Sequence, residues 1–144
     1  MKGKDFERYC EKAAALWDEA LSKIKISGGT EDERTIFYTS LYHTMIDPRD
    51  YRDVTGEYVG GDRQVHKTDA FKKRTVFSGW DVFRSQFPLQ NLINPEVVND
   101  MINSFVTLAE ENGTGVYERW EFLNAYSRCM LGNPAIAVIV DAYM

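Results

Sequence analysis

The chain has 144 residues, of which 44% are hydrophobic and 27% charged, and its formal net charge is −5 at pH 7. This length fits one domain of about 100–200 residues, and the composition excludes a disordered or fibrous protein. The negative charge disfavours a nucleic-acid partner because binding phosphates requires a basic face, and no apolar run reaches the about 20 residues of a membrane helix.

The first third of the chain predicts two amphipathic helices. Apolar residues recur every three to four positions over Asp5–Ile26, and Gly28-Gly29 ends this pattern. Thr30, with Glu33 three residues later, predicts a capping box that starts a second helix, which Asp47-Pro48 ends. We expect both helices to bury their apolar faces.

Residues 51–77 have a different pattern. Gly56, Gly60-Gly61 and Asp62 separate short segments that favour β structure. We predict a β-hairpin-like insertion between helices, and long connections of this kind are commonly functional. The short basic run Lys72-Lys73-Arg74 is predicted to be a solvated loop.

The rest of the chain returns to helical patterns. The predicted elements are a third helix from Ser78 or Asp81 to about Leu92, a fourth helix over Pro95–Glu111, an irregular aromatic loop over 114–123, and a last helix over 124–144 that is broken near Gly132-Asn133-Pro134. The pattern therefore predicts a mostly α chain of helical hairpins. Because the last helix is apolar and has no cap, we expect the 144 residues to be one segment of a larger protein.

Two cysteines, Cys10 and Cys129, fall within helical patterns and lack the spacing of metal ligands. We expect both to be free, partly buried thiols. The N-terminal residues have no apolar centre of the kind found in a signal peptide, so localisation stays open.

The stretch from Arg74 to Leu89 holds the first candidate site. Trp80 is followed by Asp81, and Arg84 lies one helical turn further on. One interpretation is structural, in which Asp81 lies at a helix N-terminus and pairs with Arg84. The functional interpretation is a sugar site, in which the indole stacks on the sugar and the charged groups bind its hydroxyls.

A second candidate cluster surrounds Trp120. Glu118 and Glu121 lie on either side of this residue in the sequence. A carboxyl group packed against an indole loses solvation, which raises its pKa toward that of a general acid. An ordinary exposed loop is an equally good interpretation of this pattern.

Four motifs appear in the order in which they occur in a known enzyme family. They are the helix FYTSLYHT, Asp-x-x-Gly-x-Tyr-x-Gly at Asp53–Gly60, Trp-Asp-x-x-Arg at Trp80–Arg84, and Cys-Met-x-Gly at Cys129–Gly132. Together they resemble glycoside hydrolase family 92, whose members are calcium-dependent, exo-acting α-mannosidases. The resemblance covers roughly residues 35–143.

This resemblance implies a partial (α/α)6 toroid over residues 1–144 that belongs to an α-mannosidase acting on mannose-containing glycans. Hydrolysis in the family inverts the anomeric configuration, which requires a carboxylic acid and a carboxylate base on opposite sides of the sugar. The resemblance also implies Ca²⁺ as a cofactor. Trp80, Asp81, Arg84 and Trp120 would then contact mannose, and Asp53 would lie in a loop near them.

The chain departs from the family pattern in two respects. The family's base aspartates and most of its calcium ligands belong to a segment further downstream, so we expect the isolated chain to be inactive. In α-1,2-specific members the acid is a glutamate at the position of Tyr126, and a tyrosine with a pKa of about 10 is a poor acid. Glu121 and Glu118 are therefore candidate acids, and the linkage specificity stays open.

The alternative interpretation is a non-catalytic helical module that binds carbohydrate or protein. A purely structural helical scaffold is a third, which the polar Trp80–Arg84 cluster disfavours. If the toroid is incomplete, we expect the apolar residues 136–143 to be exposed and to promote self-association. Members of the family are typically secreted or periplasmic.

Overall fold

The computed structural model describes the backbone of residues 3–144 and the side chains of residues 5–125 and 127–144. About half of the chain is helical, in agreement with the prediction. The described helices are α1 (Gly3–Leu21), α2 (Glu31–His43), α3 (Gly79–Val82), α4 (Gln86–Ile93), α5 (Pro95–Glu111) and α6 (Pro134–Tyr143). The described strands are β1 (Arg49–Asp50), β2 (Glu57–Val59), β3 (Val65–Lys67), β4 (Arg74–Thr75), β5 (Phe77–Ser78), β6 (Trp120–Phe122) and β7 (Ala125–Tyr126).

The chain divides into two compact units, Met1–Met45 and Ile46–Met144. In the first unit the predicted capping box is confirmed, since the Thr30 hydroxyl accepts from Glu33 N and the Glu33 carboxylate accepts from Thr30 N. That all 144 residues form a single domain segment stays a prediction.

Helix α1 ends at Leu21, five residues earlier than the periodicity predicts. The hydroxyl of Tyr38, on α2, donates to Ile24 O at 3.3 Å and accepts from Ile26 N at 3.4 Å. These bonds occupy backbone groups that a longer helix would use. The expectation that α1 buries its apolar face is wrong for much of the helix, because Phe6 is 65% and Leu16 58% exposed.

The second unit is organised around α5, which presents its apolar face to α4, α6 and β5. The core consists of Phe77, Phe87, Val98, Met101, Phe105, Ala135 and Val138, all at most 2% exposed. Within it the ring of Phe77 lies edge-on to the ring of Phe105 at 4.5 Å. This core anchors β5, the strand that leads into the Trp80 segment.

The insertion over residues 51–77 has the predicted β character. Strands β2 and β3 form the expected antiparallel hairpin, and β4 pairs with β1. The next strand, β5, belongs to a different sheet, in which it pairs with β6, and β6 pairs with β7.

Two predicted helices are wrong in their extent. The third is divided into α3 and α4 because Ser85, at φ −137°, is not helical. The last begins only at Pro134, because Leu123 and Asn124 have φ values of 53° and 59° and turn the chain into the β6–β7 hairpin. The predicted loop over 114–123 likewise contains strand β6.

Both cysteines are free, as predicted, but both are exposed rather than partly buried. Cys10 lies on α1. Cys129 lies between β7 and α6, outside any helix, because the hairpin replaces the predicted helical turn there.

Candidate functional site

Strand pairing brings the two sequence-predicted clusters together. In the β5–β6 ladder Ser78 lies opposite Trp120, and Gly79 N donates to Arg119 O at 2.9 Å. Helix α3, which carries Trp80, starts directly after this ladder. The Trp80 and Trp120 clusters are therefore neighbours at one end of the β5–β6 ladder, although their positions differ by 40 in the sequence.

The indole of Trp80 is fixed from two sides. Its Nε1 donates to Leu131 O at 2.7 Å, and a Cβ on Gly132 would lie 2.6 Å from the indole Cζ2. The ring of Phe83 meets it edge-on at 5.4 Å. Since Trp80 remains 36% exposed, the structure gives it an ordered, solvent-facing aromatic surface.

Asp81 and Arg84 flank this surface and are both exposed. The Asp81 carboxylate accepts a hydrogen bond from the Ser78 hydroxyl. The guanidinium of Arg84 lies over the ring of Phe83 at 5.1 Å. Asp81 lies in the first turn of α3, as the structural interpretation predicts. Among the described residues it forms no ion pair with Arg84, and both side chains face solvent.

Glu118 is a buried carboxyl group, only 4% exposed. Its Oε1 accepts from Asn112 Nδ2 at 3.3 Å, whereas its Oε2 is buried and has no hydrogen-bond partner among the described residues. Burial, with a smaller contribution from the charge of Glu121, raises the pKa of Glu118 to about 7. A carboxyl group with this pKa can hold a proton near neutral pH.

Glu121 is also buried, at 2% exposed, but its oxygens are fully engaged. The Thr75 hydroxyl donates to Oε1 at 2.7 Å and Val76 N donates to Oε2 at 2.9 Å. Asn124 N also donates to Oε1. Burial raises the pKa of Glu121, and these hydrogen bonds partly oppose that rise.

Lys73 contradicts the prediction of a solvated basic run. It is 0% exposed, donates to Ser104 O at 3.2 Å, and lies 3.8 Å from Glu111 Oε2. Burial lowers its pKa, whereas the charges of Glu111 and Glu121 oppose that effect. The missed signal is the alternation over 73–77, in which Lys73, Thr75 and Phe77 all point inward.

The remaining predicted residues lie elsewhere. Asp53 is exposed, and its described hydrogen bonds are local, to Val54, Gly56 and Glu57. Trp120 is half-buried and its ring stacks on Phe122 at 5.9 Å. The side chain of Tyr126 lies outside the described residues.

The larger of the two described cavities, about 450 Å³, does not coincide with the Trp80 segment. It borders the β6–β7 turn and the loop between β2 and β3, and its lining includes Asn124, Arg63 and Arg128. No residue of the Trp80–Arg84 segment is among its lining residues.

A metal site cannot be assembled from the described carboxylates alone. Within residues 5–125 and 127–144, no group of three or more His, Cys, Asp or Glu residues is placed to hold an ion. The described carboxylates therefore do not by themselves supply a Ca²⁺ site. We also find no described helix with the length and apolarity that crossing a membrane requires.

Comparisons with known proteins point to one family. A model of the glycosyl hydrolase family 92 catalytic domain matches residues 1–144. The search among curated proteins finds no match.

Solved structures of this family resemble the chain closely. A family GH92 α-mannosidase from Bacteroides thetaiotaomicron matches with a TM-score of 0.88 and 32% identity over 93% of this chain and 18% of that one. The same enzyme in complex with mannoimidazole matches with a TM-score of 0.84 and 32% identity, over 90% of this chain and 17% of that one. A family GH92 inverting mannosidase from the same bacterium matches with a TM-score of 0.81 and 30% identity, over 92% of this chain and 18% of that one. The chain thus spans less than a fifth of their length.

These neighbours confirm the predicted fold class, namely helical hairpins of an (α/α)6 toroid with a short β insertion.

Proposed function

This chain belongs to glycosyl hydrolase family 92, and on that premise we propose that it forms part of the catalytic domain of an α-mannosidase. The proposed reaction is the hydrolysis of terminal α-linked mannose from a glycan, with inversion. One solved relative is described as an inverting mannosidase, and another holds mannoimidazole.

The observation that carries this proposal is the ordered, exposed surface of Trp80 beside Asp81. An immobilised indole can stack on the apolar face of a sugar ring without a further loss of side-chain freedom. Asp81 and Arg84 are exposed beside it and unpaired with each other, so an acceptor and a donor are available for sugar hydroxyls. Trp120 and Asp53 are proposed to lie at the edges of the same substrate surface.

Of the two candidate acids, we propose Glu118. One oxygen of its carboxyl group has no described partner and its pKa is about 7, which suits proton transfer to a leaving oxygen. Glu121 is the weaker candidate because its carboxylate accepts three hydrogen bonds within the fold.

The base is proposed to come from the part of the catalytic domain that this chain does not span, so the isolated chain should not release mannose. Most Ca²⁺ ligands are proposed to come from the same part, since the described carboxylates do not by themselves form a site for the ion. Calcium would polarise the sugar hydroxyls when bound; we assign no residue of this chain to it.

The exposed side of α6 fits self-association of the chain. Ile136, Val140 and Tyr143 are 49%, 53% and 91% exposed, and apolar patches of this kind favour association. Sedimentation over a range of concentrations would detect it.

The test is titration of mannoimidazole into the purified chain, with calcium and then with a chelator, followed by the indole N–H resonances in NMR. We expect the Trp80 resonance to move while that of Trp17, in the first unit, stays in place. Asp81→Ala should abolish the shift. Absence of any shift in both buffers, with the fold intact by circular dichroism, would contradict the assignment of a mannose surface to this chain.

A further inference from the structure

Three residues near the β4, β5 and β6 strands adopt left-handed backbone conformations although none is glycine. They are Val76 at φ 72°, Leu123 at 53° and Asn124 at 59°. For a β-branched residue such as Val76 this conformation is a true outlier. Strain of this kind persists only where the surrounding structure enforces it, and it is concentrated at functional sites.

Two buried side chains hold the backbone N–H groups of all three residues. Glu121 accepts from Val76 N and from Asn124 N, and the Thr75 hydroxyl accepts from Leu123 N at 2.7 Å. The same hydroxyl donates to Glu121 Oε1 at 2.7 Å. We name Glu121 and Thr75 the Glu121–Thr75 pair. The two residues are 2% and 0% exposed, so these bonds are protected from water.

The strained residue Val76 stands at a change of sheet. Before it, β4 pairs with β1, and after it, β5 pairs with β6. The direction in which the chain leaves Val76 therefore sets the position of β5. Only three residues lie between Val76 and Trp80.

Little freedom remains between β5 and the aromatic surface. A Cβ on Gly79 would lie 2.3 Å from Pro134 Cγ and 2.7 Å from Arg119 O. The chain is thus closely packed immediately before Trp80, and a change of angle at Val76 would be passed on to α3 rather than absorbed.

We propose that Glu121 and Thr75 are positioning residues that hold the strained Val76 junction and the β6–β7 turn, and thereby orient Trp80 and Asp81 toward the sugar. The effect on sugar binding rests on the proposed function, whereas the effect on the orientation of Trp80 does not. Glu121 thus acts through the backbone of other residues and does not itself transfer a proton.

The first experiment compares Thr75→Val, which removes the hydroxyl at similar volume, with Thr75→Ser, which keeps it. Amide exchange of Leu123 and the indole N–H resonance of Trp80 are followed by NMR in the purified chain. We expect Thr75→Val to raise the amide exchange rate of Leu123 about tenfold, because one buried hydrogen bond is lost. The replacement should also move the Trp80 indole resonance. Thr75→Ser should restore both.

A matched control is Thr107→Val, because the Thr107 hydroxyl donates only to Asn103 O within α5. It should leave the Trp80 resonance unchanged. Glu121→Gln is a second variant that keeps the side-chain volume but loses one acceptor oxygen, and it should increase the exchange of Val76. If Thr75→Val is folded and leaves both the Leu123 exchange and the Trp80 resonance unchanged, the proposal is overturned.

Mannoimidazole affinity separates positioning from simple support of the fold. We expect the dissociation constant to rise about tenfold in Thr75→Val and to recover in Thr75→Ser. An unchanged affinity in folded Thr75→Val, where the wild-type chain binds, would also overturn the positioning role. If the wild-type chain does not bind but its Trp80 resonance responds to Thr75→Val, the proposed function fails while the orienting role of the pair is supported.

Discussion

The Trp80–Arg84 segment and the buried polar cluster around Glu121 differ in how far their polar side chains are exposed to solvent. The segment presents Trp80, Asp81 and Arg84 to solvent, while Lys73 and Glu121 are at most 2% exposed. Both regions contain charges and aromatic rings. In the first region the charges face solvent, and in the second they satisfy one another and the backbone.

This difference predicts which of two properties, stability or ligand binding, each region affects more. Exposed charges contribute little to the free energy of unfolding because water screens them. Buried charges cost free energy unless their partners are complete, so removing one partner is expensive. Replacements in the buried cluster should therefore change stability most, and replacements in the segment should change binding most.

The largest effect on stability is expected for Lys73→Met. It would leave Glu111, 3.8 Å away, buried without its cation, which costs about 3–5 kcal/mol in the free energy of unfolding. Urea denaturation measures this loss. Lys72→Met, at the exposed neighbouring position, is the control and should stay within about 0.5 kcal/mol. Equal effects of the two replacements would show that Lys73 is not part of a buried cluster.

Glu118→Gln should stabilise the chain in a pH-dependent way. Because the folded pKa is about 7 and lies above the ordinary value of 4.5, the folded state binds more protons than the unfolded state between these values. Stability due to Glu118 therefore falls as pH rises through this window, by at most about 3 kcal/mol. The neutral glutamine avoids that loss.

Urea denaturation at pH 5 and pH 8 tests this prediction. Glu118→Gln should gain stability over the wild type chiefly at pH 8, while Glu110→Gln, on the exposed side of α5, should change it at neither pH. A gain of equal size at both pH values would mean that Glu118 is not protonated near neutral pH.

Trp80→Phe should lower the free energy of unfolding by less, about 1 kcal/mol, because it removes the hydrogen bond to Leu131 O but keeps an aromatic ring. Amide exchange in the 131–132 loop should increase, and thermal denaturation should show a small decrease in Tm. A loss comparable to that of Lys73→Met would place Trp80 with the core rather than with the ligand surface.

Arg84→Gln should have the smallest effect on stability, within about 0.5 kcal/mol, because the guanidinium is exposed over the Phe83 ring. It should nevertheless weaken mannoimidazole binding about tenfold by removing a charged donor. Calorimetric titration measures both the affinity and the enthalpy. A stability loss without a change in affinity would reverse the roles proposed for the two regions.

Much of the fold could be predicted from local pattern. The capping box at Thr30, helix α5 and the β2–β3 hairpin follow from side-chain periodicity and turn residues, which act over a few positions. The β6–β7 hairpin could not, because its turn residues Leu123 and Asn124 give no glycine signal. That turn depends on hydrogen bonds that its backbone N–H groups donate to Glu121 and to Thr75, which lies 46 residues before Glu121 in the chain.

The sequence by itself determined the helical class, the family motifs and the identity of the aromatic and acidic candidates, because each of these depends on residues that lie close together along the chain. Tertiary structure alone decided which of the candidates are exposed. Burial depends on partners distant in sequence, and so Lys73 became a buried cation, Glu118 a carboxyl group with a raised pKa, and Glu121 a fixed acceptor. The apolar face of α1 shows the same limit, since periodicity defines a face but not what covers it.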